Sequence, residues 1–182
     1  MKYRNFGSTD LQASIIGFGV WTVSTSMWGV NDHDLRLSLL RRAKELGITF
    51  YDTADVYGDG TGETILRDAF GDSIKDLTIA TKFGYDWYSY PGLQAGQRER
   101  PHDWSPAYLT KACEESLKRL GADHIDLYQL HNPRVDAIHN DDLWDALDKL
   151  KASGKIRHIG VALGPAIHIR QKDEALQALN LH

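Results

Sequence analysis

Five short runs rich in Ile, Val, Leu and aromatic residues recur along the chain, each separated from the next by a helical pattern. The runs lie at 15–21, 48–51, 77–83, 125–130 and 156–163. Helices are expected at about 32–46, 62–70, 106–120 and 141–152, from the leucine spacing, the Ser105-Pro106 start and the glycines that follow. Strands that alternate with helices imply parallel pairing through crossover connections. Two architectures satisfy that order: an open doubly wound sheet, or part of a (β/α)8 barrel.

Around this repeat, residues 3–14 read as a small hairpin turning at Gly7-Ser8-Thr9-Asp10, and 172–180 is helix-compatible through Ala175, Leu176 and Leu179. Gly17 and Gly19 in the first run suggest close approach by another backbone or a ligand. Segment 84–104 is a long loop, and its Tyr85, Trp87, Tyr88 and Tyr90 argue against disorder. On the 106–120 helix, Glu114 with Lys118 and Glu115 with Arg119 are spaced for pairing one turn apart.

Three successive strands carry ionisable groups at their ends: Asp52 followed by Tyr57, then Lys82, then His131. Any one of these reads as well as a capping carboxylate or a packed ring. Convergence from separate strands at one barrel mouth is harder to explain by packing. The set has chemical logic: a phenol with an ordinary pKa of about 10 gains acidity beside an ammonium. Lys82 would supply that ammonium, Asp52 would hold it, and His131 would hydrogen-bond a carbonyl oxygen or relay a proton. Such a site protonates an oxygen that gains negative charge during carbonyl reduction. None of the four delivers a hydride, so a nicotinamide cofactor is required. The structural alternative is an Asp–Lys bridge at the strand ends with Tyr and His in the wall.

The stretch from Gly47 through Asp52-Thr53-Ala54-Asp55-Val56-Tyr57-Gly58, with Glu63 opening a helix, resembles the signature of the aldo-keto reductases. Thr81-Lys82-Phe83 and Leu130-His131-Asn132-Pro133 resemble that family's other two signature sites, in order. Gly17 to Trp21 resembles its first strand, and the 3–14 hairpin resembles the one that closes the barrel floor; the match runs from about residue 3 to 164. The resemblance implies a (β/α)8 TIM barrel and NADPH-dependent reduction of aldehydes or ketones to alcohols. It makes Tyr57 the proton donor, supported by Asp52, Lys82 and His131. It assigns Trp21, Asp52 and Asn132 to the cofactor, and Trp21 and Trp87 to the substrate pocket, although packing explains the two tryptophans equally well.

Two departures stand against it. Val161-Ala162-Leu163 replaces the polar pair that the family uses to hold the nicotinamide carboxamide. About five βα units are present in 182 residues, against about 250 residues for a typical barrel. The expectation is a single partial barrel domain over 1–182, apparently truncated after the fifth strand, with an atypical tail at 165–182. Two bare sheet edges raise self-association as an expectation. A non-catalytic nucleotide-sensing module of the same fold, resembling channel β subunits, or an inactive fragment, are the alternatives.

Composition removes other classes. Net charge is −4 with no long basic run, which argues against nucleic acid. No apolar run approaches the ~20 residues of a membrane span, and the first residues lack a signal-peptide core. Cys113 is the only cysteine, set in a helix as a packed thiol, so a cytoplasmic setting is expected. The eight histidines show no metal-ligand spacing, so no metal is expected. Glycines at 58, 60 and 62 match neither a P-loop nor a dinucleotide fingerprint and read as a flexible βα-loop.

Overall fold

A computed structural model describes residues 1–92, 100–164 and 170–181. A hairpin of β1 (Tyr3–Asn5) and β2 (Gln12–Ser14) comes first, antiparallel with Tyr3 opposite Ser14. There follow β3 (Gly17–Gly19), α1 (Trp21–Ser24), α2 (His33–Glu45), β4 (Phe50–Asp52), α3 (Thr61–Phe70) and β5 (Thr78–Phe83). The rest is α4 (Pro106–Leu120), β6 (Ile125–His131), α5 (Val135–Ile138), α6 (Asp141–Ala152), β7 (Ile156–Ala162) and α7 (Arg170–Leu181). Strands β3 to β7 form one parallel sheet in chain order.

The helices begin where the sequence supplies oxygen acceptors for the free N–H groups of a first turn. Asp32 accepts from the Leu35 N–H, Ser105 from Tyr108 and Asn140 from Leu143. Neither expected pair on α4 forms. Glu115 pairs with Lys118 at 2.7 Å, Glu114 reaches Lys155 at 2.7 Å, and Arg119 turns inward to Glu63. Tertiary partners take Glu114 and Arg119, which leaves Glu115 and Lys118 to pair three residues apart on the helix.

Side chains alternate across the sheet. Tyr51, Ile79, Phe83, Tyr128 and Leu130 point to one face, packed into a core with Leu40, Ile65, Leu66, Leu109, Leu120, Leu143 and Leu147 of the helices. Consecutive helices α2, α3, α4 and α6 lie side by side. A doubly wound sheet would divide them between two faces. A single helical layer in chain order is the arrangement of a (β/α)8 barrel, with five of its βα units present.

The first strand is shorter than expected. The Val20 N–H donates to the Asp52 carbonyl at 2.8 Å and the chain then turns helical, so Trp21 opens α1 rather than ending a strand. The close approach at Gly17 is by the Phe50 ring, 2.5 Å from where a Cβ would sit, and the space beside Gly19 is open. The tail is helical over 170–181, and 165–169 lies outside the described residues.

The hairpin lies across the strand starts. Ser14 and Thr49 exchange hydrogen bonds of 3.0 and 2.9 Å, the Thr78 hydroxyl donates to the Gln12 carbonyl, and Asp10 bonds both Arg157 and His158 of β7 at 2.9 Å. A cavity of about 390 Å³ beside it is lined by Tyr3, Gln12, Thr49, Asp126 and Arg157. That cavity is at the floor, away from the strand ends that carry the ionisable set.

Candidate active site

Lys82 is the fifth residue of β5 and alternates onto the face opposite the helices. Its ammonium donates to Asp52 Oδ1 and to the Thr53 carbonyl, both at 2.6 Å. It also lies 5.1 Å from the centre of the Tyr57 ring. The parallel register explains the meeting: Asp52 ends β4, and Ala80, its partner on β5, is two residues before Lys82. Gln129, two positions before His131 and so on the same face of β6, donates from Nε2 to Asp52 Oδ2 at 3.4 Å.

His131 ends β6 and stands edge-on to Tyr57, ring centres 5.6 Å apart. It is buried, and its Nδ1 has no hydrogen-bond partner among the described residues. Burial, followed by the Lys82 charge, pushes its pKa well below the usual imidazole value, so the ring is neutral. Lys82 feels two opposed forces. Burial lowers its pKa and Asp52 works to raise it; burial prevails.

The expected acidification of Tyr57 by Lys82 is not found. Burial raises the phenol above its ordinary value, and Asp52, Tyr85 and Asp55 raise it further. Burial is the leading cause. The Lys82 ammonium is committed to Asp52 and a carbonyl, so the ring meets a paired charge inside a low-dielectric wall.

Trp21 lies 6.3 Å from the Tyr57 ring and meets Trp28 edge-on at 5.7 Å; its buried indole N–H has no partner among the described residues. Asn132 adopts a left-handed backbone, φ 52°, and its Nδ2 donates to the Tyr85 hydroxyl at 2.8 Å. Trp87 stacks on Tyr88 at 4.3 Å, with the Arg119 guanidinium 5.3 Å from its ring.

Sequence reasoning missed three members of this wall. Tyr85 meets His131 edge-on at 4.9 Å and stacks on His102 at 4.2 Å, and the His102 Nε2–H donates to the His131 carbonyl at 3.2 Å. Gln129 was legible from the two-residue period of its strand. Tyr85 and His102 carried no signal, because an isolated bridge between the two limbs of a long loop brings them together.

On the helix side, Glu63 and Arg119 form a buried pair at 2.6 Å, and the Thr81 hydroxyl donates to the other Glu63 oxygen at 2.6 Å. Asp55 is fully buried beside them, and burial followed by Glu63 raises its pKa well above the carboxylate range. Among the described residues no group of three or more His, Cys, Asp or Glu is placed to hold a metal, and no helix is long and apolar enough to cross a membrane.

The sequence model of the Aldo/keto reductase family matches residues 15–177. Among curated proteins, the chain is 36% identical over 162 residues to Uncharacterized oxidoreductase YqkF of Bacillus subtilis, covering 89% of this chain and 49% of that protein. It is 35% identical to Aldo-keto reductase YhdN of the same organism, covering 89% and 47%. Among solved structures, the holo form of an aldo-keto reductase from Bacillus halodurans superposes with a TM-score of 0.76 at 34% identity, over 90% of this chain and 50% of that one. The glycerol dehydrogenase of Gluconobacter oxydans gives a TM-score of 0.76 at 31% identity, over 99% and 52%. The chain spans about half the length of the curated relatives it matches. With its family model matched over most of its residues and its fold superposable on the family's barrels, the chain belongs to the aldo/keto reductase family.

Proposed function

We propose that this chain carries the proton-donating part of an oxidoreductase site that reduces aldehydes or ketones to alcohols with NADPH. The observation that supports it is the clustering of Lys82 on Asp52 at 2.6 Å with the Tyr57 ring 5.1 Å from the ammonium and the neutral His131 edge-on to the same ring. Tyr57 is the acid. Its raised pKa keeps the phenol protonated across neutral pH, so the donor is present whenever a carbonyl oxygen gathers charge. The ammonium, held by Asp52, is the electrostatic partner of the phenolate left behind, and the imidazole N–H orients the carbonyl.

The residues fit the nicotinamide cofactor on one side only. The buried Trp21 indole N–H and His131 Nδ1 have no partner among the described residues, and Asp52 keeps one partly exposed edge, with 36% of its side chain accessible. Trp21, Asp52 and Asn132 would hold the nicotinamide end. Ala162 at the end of β7 and the exposed Leu163 after it offer no side-chain donor. When bound, NADPH supplies the hydride. Trp21 would wall the substrate pocket, and Trp87 would act through the loop it anchors. We read 1–182 as one partial barrel domain with a small-molecule carbonyl substrate, a cytoplasmic setting, no nucleic-acid or membrane partner, and self-association through the bare edges β3 and β7.

A nucleotide-binding module without turnover is the second reading, favoured by the apolar Val161-Ala162-Leu163 run. Both are tested by following NADPH and NADH oxidation with a panel of aldehydes and ketones, beside direct nucleotide binding. Tyr57→Phe should lower turnover by about 100-fold or more with the fold retained, as loss of a general acid does. Undiminished activity in that variant overturns the reductase reading, and binding without oxidation selects the second. An expanded or aggregated species in size measurement selects an inactive fragment.

A further inference from the structure

The turn after Tyr57 holds three consecutive residues in the left-handed region: Gly58 at φ 58°, Asp59 at 50° and Gly60 at 89°. Glycine is required at two of them. A Cβ on Gly58 would stand 2.2 Å from the Ser24 carbonyl oxygen, and one on Gly60 would stand 2.8 Å from the Arg119 side chain. The middle residue has the same backbone demand and yet carries a side chain. A disfavoured conformation kept by a non-glycine residue calls for a compensating contact.

The contact is on the long loop. One Asp59 oxygen accepts from the Gly92 N–H and the other from the Arg100 guanidinium. Arg100 is buried, with 7% exposure, and donates also to the Tyr90 carbonyl at 2.9 Å and the Val56 carbonyl at 3.5 Å. A single carboxylate two residues from Tyr57 thus binds the aromatic segment 84–92 at Gly92 and the returning limb at Arg100. The same segment supplies Tyr85, which meets His131 and bonds Asn132. Aromatic wall and proton donor are therefore tied through Asp59, with a second tie where Arg119 joins Glu63 to Tyr88.

Resting on the reductase reading above, we propose that Asp59 is a positioning residue: through Arg100 and the Gly92 amide it sets the aromatic substrate loop against Tyr57. It touches neither substrate nor cofactor. Its effect is on how a carbonyl compound seats opposite the phenol.

The test separates positioning from folding. Asp59→Gly relieves the backbone and removes the carboxylate; Asp59→Asn keeps an acceptor for Gly92 but loses the charge facing Arg100. Amide hydrogen exchange, thermal unfolding and steady-state kinetics are measured on each, with Arg100→Gln beside them. The expected result is loss of Gly92 protection in Asp59→Gly with β5 protection and thermal stability retained. Carbonyl-substrate KM should rise about 10-fold or more, NADPH affinity should be unchanged, and Asp59→Asn should fall between. Unchanged Gly92 exchange, or unchanged KM in a variant that has lost it, overturns the proposal. If the parent chain turns over no carbonyl, the reductase reading fails, and the exchange data still decide whether the tie exists.

Discussion

Thr81 and Lys82 are neighbours on β5 that point to opposite faces of the sheet, and each feeds an ion pair of different character. On the helix side Thr81 donates to Glu63, whose other oxygen takes Arg119; the two side chains are 0% and 14% exposed. Arg119 also bonds the Tyr88 hydroxyl and Ser116, and stacks on two aromatic rings. Both Glu63 oxygens are taken within the fold, and all three Arg119 nitrogens donate there. On the inner face Lys82 bonds Asp52 and a carbonyl, but Asp52 is 36% exposed, and His131 Nδ1 is buried with no partner among the described residues. The same chemistry, one residue apart, serves packing where it is closed and suits reaction where one side is left open. An ion pair closed off from solvent acts as a brace, and one whose carboxylate stays partly solvated can serve as a site.

The comparison breaks most visibly at the brace. Arg119→Met leaves Glu63 charged, buried and beside Asp55, and should destabilise the fold by about 3–5 kcal/mol in denaturant titration. A loss below about 1 kcal/mol would mean that Glu63 takes up a proton and the pair is not structural.

Lys82→Met should do the reverse. Asp52 is 36% exposed and keeps Gln129, so the carboxylate left behind is hydrated rather than stranded, and stability should fall less than in Arg119→Met. Turnover should fall about 100-fold, measured as carbonyl-dependent NADPH oxidation. Equal effects of the two variants on stability would erase the distinction between the faces.

The smallest effect is a pH slope. His131 is neutral in the folded chain with its pKa well below 6.5, whereas the unfolded chain protonates near 6.5. Below that pH the unfolded state binds the extra proton, so this contribution is complete above pH 6.5 and is lost as pH falls. The slope is at most about 1.4 kcal/mol per pH unit. His131→Gln should flatten melting temperature between pH 7 and pH 5 relative to the parent. An unchanged slope would assign the acid sensitivity to other groups.

Particular residues mark how far the chain could be read. Ser105 and Pro106 announce a helix start by local chemistry, and α6 begins and ends where its leucines predict. Asp52, Lys82 and His131 were legible as a set because strand alternation and parallel order act on short, regular segments. Trp87 was assigned to the substrate pocket by resemblance and is anchored on Arg119. That position depends on how the two limbs of a long loop pair with each other, which local spacing does not specify. The Tyr57 pKa went the other way from expectation because its sign depends on burial and on whether Lys82 is already paired, which are three-dimensional quantities.

By itself the order of residues determined a parallel βα repeat, its helix boundaries and the four ionisable groups at successive strand ends, since these follow from periodicity and capping within a few residues. Only the tertiary structure decided that the helices share one face, that Lys82 is held by Asp52 while Arg119 crosses to Glu63, and that Asp59 ties the aromatic loop to Tyr57. Those outcomes are competitions among partners 30 to 56 residues apart, settled by burial and distance once the chain has closed on itself.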